Sequence, residues 1–259
     1  PQKYAAAATL FEQHVDAAEL VRRLSLPASL VMTPLRFEHL LVERARADRR
    51  HIVLPEGDDD RILQAAGIVL QRGIADLTIL GEEDAVRGRA TQLGVDLASA
   101  RIVSTSDPQL HERFADAYFE ARKHKGISRQ AAADTVTDAS YFGTLMVHLG
   151  LADGMVSGAR HTTAHTIRPA FEIVKTAPGV SVVSSVFLMA LSDRVLVYGD
   201  CAVIPEPTVE QLADIAISSA ATARRFGIEP RVAMLSYSTG ESGMGADVER
   251  VRVATELVR

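Results

Sequence analysis

Between His51 and Ser157, short β-branched runs alternate with helical stretches, and this alternation restricts the fold more than any other feature of the chain. "HIVLP" (51–55), "ADLTILG" (75–81), "RIVST" (101–105) and "DGMVS" (153–157) read as strands. The segments between them carry helix signals. "DDRILQAAGIVLQRG" (59–73) and "EEDAVRGRATQLG" (82–94) open on acids and close on glycine, as the helix dipole and a left-handed terminus favour. "DPQLHERFADAYFEARKHKG" (107–126) starts with Asp107 as cap and Pro108 in the first turn, and two shorter helices follow in "SRQAAADTV" and "DASYFGTLMVHLG". Strand and helix alternating at this spacing predict βαβ units with right-handed crossovers and a parallel sheet, hence an α/β fold.

The flanks read differently. Tyr4 to Leu24 is alanine-rich, with Leu10, Phe11, Val15, Ala18 and Leu24 near one helical face, and "SLPASLVM" (25–32) reads as a connecting strap. A helix restarts at Thr33, a cap followed by Pro34. Beyond Val180, "VSVVSSVFLMA" and "RVLVYG" are β-branched runs joined by "LSD", which predicts an antiparallel hairpin. A long helix follows from Thr208, which forms a capping box with Gln211, to Gly227. "RVAMLSYS" (231–238) reads as another strand, and a glycine-rich turn leads into a last helix. At about one domain per 150 residues, the 259 residues divide into two. The first α/β domain is expected over 33–179 and the second over 180–259.

Composition excludes several classes. A net charge of −5 leaves no basic surplus for a nucleic-acid backbone. No apolar run approaches the ~20 residues of a membrane span, and no signal peptide is evident. The one cysteine, Cys201, cannot form a disulfide within the chain, which fits a reducing, cytoplasmic setting. The chain opens on Pro1 rather than Met and stops at Arg259 within a helical pattern, so both ends read as cuts.

In open parallel sheets ligands gather beyond the carboxyl ends of the strands. Two unusual loops sit at such places: "SGARHTTAHT" (157–166) and "SYSTGESGMG" (236–245). Each offers small residues, hydroxyls and the unpartnered amides of a helix start, and Arg168 adds a cation to the first. Together they suggest an oxyanion pocket, most naturally for phosphate; an ordinary turn is the competing account. "FEARKHKG" (119–126) ends a helix with Arg122, Lys123, His124 and Lys125, which suits the dipole as well as a phosphate clamp. His161 and His165 are four apart, but nothing nearby completes a zinc site, so no metal is expected there. The acids of "EGDDDR" (56–61) are of the kind that hold Mg²⁺, although a helix start accounts for them too.

"IVLPEGDDDRILQAA", "RGIADLTILG", "YFEARKHKG", "DGMVSGARHTTAHTIRPAFEIVKT" and "MLSYSTGESGMGADVERVR" resemble, in order and spacing, the phosphate acetyltransferases in their long bacterial form. The resemblance runs from about Met32 to the end of the chain and makes residues 1–32 the tail of an upstream domain and its linker. It implies two α/β domains around a cleft, as in the isocitrate and isopropylmalate dehydrogenases, in a homodimer or higher homo-oligomer. It also implies reversible acetyl transfer between coenzyme A and phosphate through acetyl phosphate, with CoA as substrate and no permanent cofactor, metal, membrane or nucleic acid. An Asp would take the thiol proton while an Arg and a Ser steady the developing oxyanion. By this resemblance Arg122 and Arg168 match CoA-binding arginines. Ser157, Gly158, His161, Thr162 and Thr163 match the cleft loop, and Ser236, Ser238 and Thr239 the facing loop. The family's catalytic Ser-Arg segment and its Asp have no match here and are expected beyond Arg259, which leaves the second domain incomplete and this stretch inactive by itself. Two alternatives stay open: a phosphate butyryltransferase, and the acyl-CoA-sensing domain carried by hybrid malic enzymes.

Overall fold

The computed structural model describes residues 10–11, 14–24, 32–240 and 242–259. Of the helix expected over Tyr4–Leu24, α1 (Ala17–Leu24) is described, and the strap at 25–31 lies outside the described residues. Thr33 caps α2 (Pro34–Ala47) by accepting from the amide of Arg36 at 3.4 Å. Then come β1 (Arg50–Leu54), α3 (Asp60–Gln71), β2 (Ala75–Leu80), α4 (Glu83–Leu93), β3 (Arg101–Val103) and α5 (Pro108–Arg122). A 3-10 turn (Lys123–Lys125), α6 (Arg129–Thr135), α7 (Ala139–His148) and β4 (Gly154–Met155) follow. α8 (Thr163–Pro169) runs into a π turn (Ala170–Val174). The rest is β5 (Val186–Ala190), β6 (Val195–Gly199), α9 (Val209–Arg225) and α10 (Ala246–Val258).

The four strands β1 to β4 form one parallel sheet in the order β3-β2-β1-β4. Its side chains alternate between two cores. Leu54, Leu77 and Ile79 turn to one face, where Leu63 and Ala66 of α3 and Val86 and Ala90 of α4 cover them. Val53 and Leu80 turn to the other face, against Phe114 of α5, Val136 after α6 and Phe142 and Leu145 of α7. Phe114 and Phe142 meet edge to face at 4.6 Å between centroids, an arrangement aromatic rings favour. The chain moves from β1 to β3 on one side of β1, then crosses back to place β4 on the other side. The boundary between β1 and β4 is therefore the topological switch point, the place where open α/β sheets gather ligands.

β5 and β6 form a separate antiparallel hairpin, as the two β-branched runs predict. Thr208 and Gln211 make the capping box at the start of α9. One expectation fails. Residues 231–238 do not form a strand: a ladder needs a hydrogen-bonded neighbour, and the segment instead faces β6 and α9 across a cavity of about 590 Å³. Val232 and Leu235 on it stay exposed. The second α/β unit expected over 180–259 thus shows two strands and two helices among the described residues. None of the described helices is long and apolar enough to cross a membrane.

Candidate functional site

Glu56 follows β1, and residues 157–162 follow β4, so both lie at the switch point. Glu56 is 1% exposed, and its carboxylate fills the concavity of the loop. Oε2 accepts from the amides of Gly158 at 3.0 Å and Ala159 at 2.8 Å. Oε1 accepts from the amides of Arg160 at 2.9 Å and His161 at 3.1 Å, and lies 2.8 Å from His161 Nδ1. Burial pushes this carboxyl upward, but the amides of Arg160 and Ala159 and the His161 ring outweigh it and hold the pKa at about 2. Four of the amides in "SGARHTTAHT", those of 158–161, are therefore already engaged by an internal anion. The loop is a built nest, with Glu56 as its occupant.

An ionised carboxylate only accepts, so the His161 ring donates through Nδ1 and keeps Nε2 as its second nitrogen. The ring stacks on His165 with centroids 4.5 Å apart and planes 19° from parallel. His165 Nε2 lies 3.0 Å from Asp138 Oδ2, near enough for an ion pair but off the hydrogen-bond direction. Each histidine is thus held by a protein carboxylate. Thr162 caps α8 by accepting from the amide of His165 at 3.3 Å, and Thr163 is exposed at its start. Ser157 Oγ and Thr166 Oγ1 are buried and have no hydrogen-bond partner among the described residues.

The acids of "EGDDDR" have separate tasks. Asp59 caps α3 through the amide of Arg61 at 2.9 Å, Asp58 pairs with Arg160, and Asp60 meets Arg89 at 2.5 Å. Among the described residues no three His, Cys, Asp or Glu side chains are grouped to hold a metal ion.

The two arginines do come together. Arg122 is the last residue of α5 and Arg168 lies in α8, yet both face Glu172 Oε1, at 3.9 Å and 3.6 Å. The i,i+4 spacing of Arg168 and Glu172 places that pair on one helical face. Glu172 Oε2 accepts from Tyr118 at 2.7 Å and Tyr141 at 3.0 Å. Burial first, then these bonds to Glu172, raise both phenols, Tyr141 to about 12, so both remain donors. Of the four basic residues at the end of α5, Lys123 pairs with Glu120, while His124 and Lys125 are exposed. The turn carrying Glu172 ends at Lys175, whose φ of 66° and ψ of −176° form a conformation other residues leave to glycine.

Ser236, Ser238 and Thr239 sit in a loop closed on itself. Ser238 donates from its amide to Ser236 Oγ at 3.1 Å and from its hydroxyl to the Gly240 carbonyl at 2.9 Å. Its hydroxyl oxygen accepts from Gly243, and the Thr239 carbonyl accepts from Ser242 Oγ at 2.7 Å. Among the described residues, no hydrogen bond or ion pair joins this loop to 157–163.

A second internal anion escapes sequence reasoning altogether. Asp200, after β6, accepts from the amide and hydroxyl of Ser185, both at 2.6 Å, and from the amides of Val203 and Ile204 at 2.9 and 2.8 Å. Burial opposes its ionisation, yet these donors hold its pKa at about 2. No local pattern announces Glu56 or Asp200, because their partners are long-range or lie in turns without a motif.

A family model described as phosphate acetyl/butaryl transferase matches residues 36–259. The phosphate acetyltransferase of Nitratidesulfovibrio vulgaris is 56% identical over 258 residues, covering 100% of this chain and 37% of that protein. The phosphate acetyltransferase of Corynebacterium glutamicum is 58% identical over 215 residues, covering 83% of this chain and 65% of the relative. The chain thus spans roughly a third to two thirds of the length of these curated relatives. Among solved structures, a phosphotransacetylase from Streptococcus pyogenes superposes with a TM-score of 0.82 at 40% identity, over 88% of this chain and 69% of that one.

Proposed function

This chain belongs to the phosphate acetyl/butaryl transferase family, and we propose from that premise that the protein reversibly transfers an acetyl group between coenzyme A and inorganic phosphate. Acetyl rather than butyryl transfer follows the relatives, which are named phosphate acetyltransferase. The observation that supports it best is the meeting of Arg122 and Arg168 at Glu172. Their guanidinium N–H groups make no hydrogen bond among the described residues, so two guanidinium forks are available to the phosphates of CoA. A positive pocket also favours the thiolate over a thiol whose free pKa is about 8.5.

In this reading Ser157, His161, Thr162 and Thr163 border the CoA site, and Gly158 serves by giving its amide to Glu56. His161 presents Nε2 as its free nitrogen because Nδ1 is engaged. Ser236, Ser238 and Thr239 would approach from a second domain (180–259) across a cleft from the first (33–179), in the manner of the isocitrate and isopropylmalate dehydrogenases. The catalytic Ser, Arg and Asp of the reaction are assigned to no residue of this chain. CoA acts as substrate, and the protein would work in the cytoplasm as a homodimer or higher homo-oligomer.

The test is acetyl-CoA formation from acetyl phosphate and CoA by the full-length protein, with Arg122→Gln and Arg168→Gln beside it. Each variant should raise the KM for CoA by about tenfold or more, the worth of a charged hydrogen bond. No turnover by the parent, or an unchanged KM in both variants, would overturn the reading.

A further inference from the structure

Two like charges do not sit side by side unaided. Arg122 is a quarter exposed, and Arg168, at 73% exposure, has a side chain free to swing into solvent. What faces both is Glu172, at 17% exposure. Its two oxygens divide the work. Oε2 is fixed by the Tyr118 and Tyr141 hydroxyls, which come from α5 and α7 and so anchor the carboxylate to two helices of the core. Oε1 is left to the guanidiniums at 3.6 and 3.9 Å, beyond hydrogen-bond distance. The ion pairs therefore restrain both cations and offset their mutual repulsion while leaving their N–H donors unengaged.

We propose that Glu172 is a positioning residue that holds Arg122 and Arg168 together as one phosphate-binding unit for CoA. This rests on the reading of the two arginines as CoA ligands. A carboxylate that bonded either guanidinium bidentately would compete with the ligand; one held back by two tyrosines orients without competing. The unit keeps one net positive charge from two cations and one anion.

The test measures KM and kcat in the full-length protein for Glu172→Gln, Glu172→Asp, Arg122→Gln and Arg168→Gln. Glu172→Gln removes the charge at constant size and should raise the KM for CoA about fivefold, the upper end for a partly exposed ion pair. It should leave kcat and the KM for acetyl phosphate in place, and Glu172→Asp should recover most of the loss. If Glu172→Gln does not fold, the double variant Tyr118→Phe, Tyr141→Phe keeps the charge but releases Oε2, and should raise the KM for CoA about twofold. A normal KM for CoA in whichever of these is folded, with both arginine variants impaired, would sink this inference alone. A loss confined to kcat would sink it equally. Normal KM values in the arginine variants would sink the underlying reading instead.

Discussion

The Glu56 carboxylate and the His161 ring meet at 2.8 Å across 105 positions of sequence, and the four amides before and at His161 close on the same two oxygens. One buried acid thus determines the shape of the loop that leaves the switch point.

Replacing it should be costly. Glu56→Ala leaves four amides and an imidazole without their acceptor, and we expect a loss of about 3 kcal/mol. Glu56→Gln keeps an acceptor oxygen and should lose less. Urea denaturation measures both, and an unmoved midpoint for the alanine variant would contradict the role assigned here.

Acid should act through the same group. The folded pKa of Glu56 lies near 2, below its ordinary 4.5, and that of Asp200 near 2, below 3.8. Both are depressed, so their contribution is fully present above about pH 4.5 and is lost as pH falls toward 2. Melting temperature should therefore drop across that window, less steeply in Glu56→Gln and in Asp200→Asn. Equal slopes in all three proteins would rule the two carboxylates out as the cause.

Gly57 should tolerate no side chain. A Cβ there would overlap the Leu80 carbonyl oxygen and come within 2.6 Å of Ile79 Cγ2, both at the end of β2. Because backbone must move to make room, Gly57→Ala should destabilise by about 2 kcal/mol. Full stability would show that β2 yields more readily than its packing implies.

The cap on α9 gives a smaller, local effect. Thr208→Ala removes the acceptor for the Gln211 amide at 3.2 Å and should cost about 1 kcal/mol. Thr208→Ser should restore it. Equal denaturation midpoints for the alanine and serine variants would show that the box contributes nothing.

Local signals made much of this legible in advance. Caps at Thr33, Asp107 and Thr208 stand where the residue types place them, because each acts within three residues. The four parallel strands and the hairpin follow from β-branched runs and their spacing. "RVAMLSYS" misled because strand propensity describes a half-buried surface, and no partner strand lies against it among the described residues. The acids near 56 read as a helix start, which is true of Asp59; that Glu56 instead reaches from the end of β1 to the amides of 158–161 after the neighbouring β4 is a tertiary fact with no local mark. In "SGARHTTAHT" the sequence shows amides suited to an anion but not which anion. Arg122 and Arg168 stand out in the sequence as cations near a helix end and a polar loop, and resemblance gives them a CoA role, whereas Glu172, Tyr118 and Tyr141 around them carry no signal.

Helix α2 touches both sheets' helices at their carbonyl ends. Arg46 donates to the Arg72 carbonyl after α3 at 2.8 Å, Arg44 to the Arg225 carbonyl ending α9 at 2.7 Å, and Phe37 packs on Phe226. A rotation of the hairpin side against the parallel sheet would have to unlatch one of these two guanidinium clasps. The helix that opens the first expected domain is thereby a tie between the carbonyl ends of α3 and α9, two helices far apart in sequence.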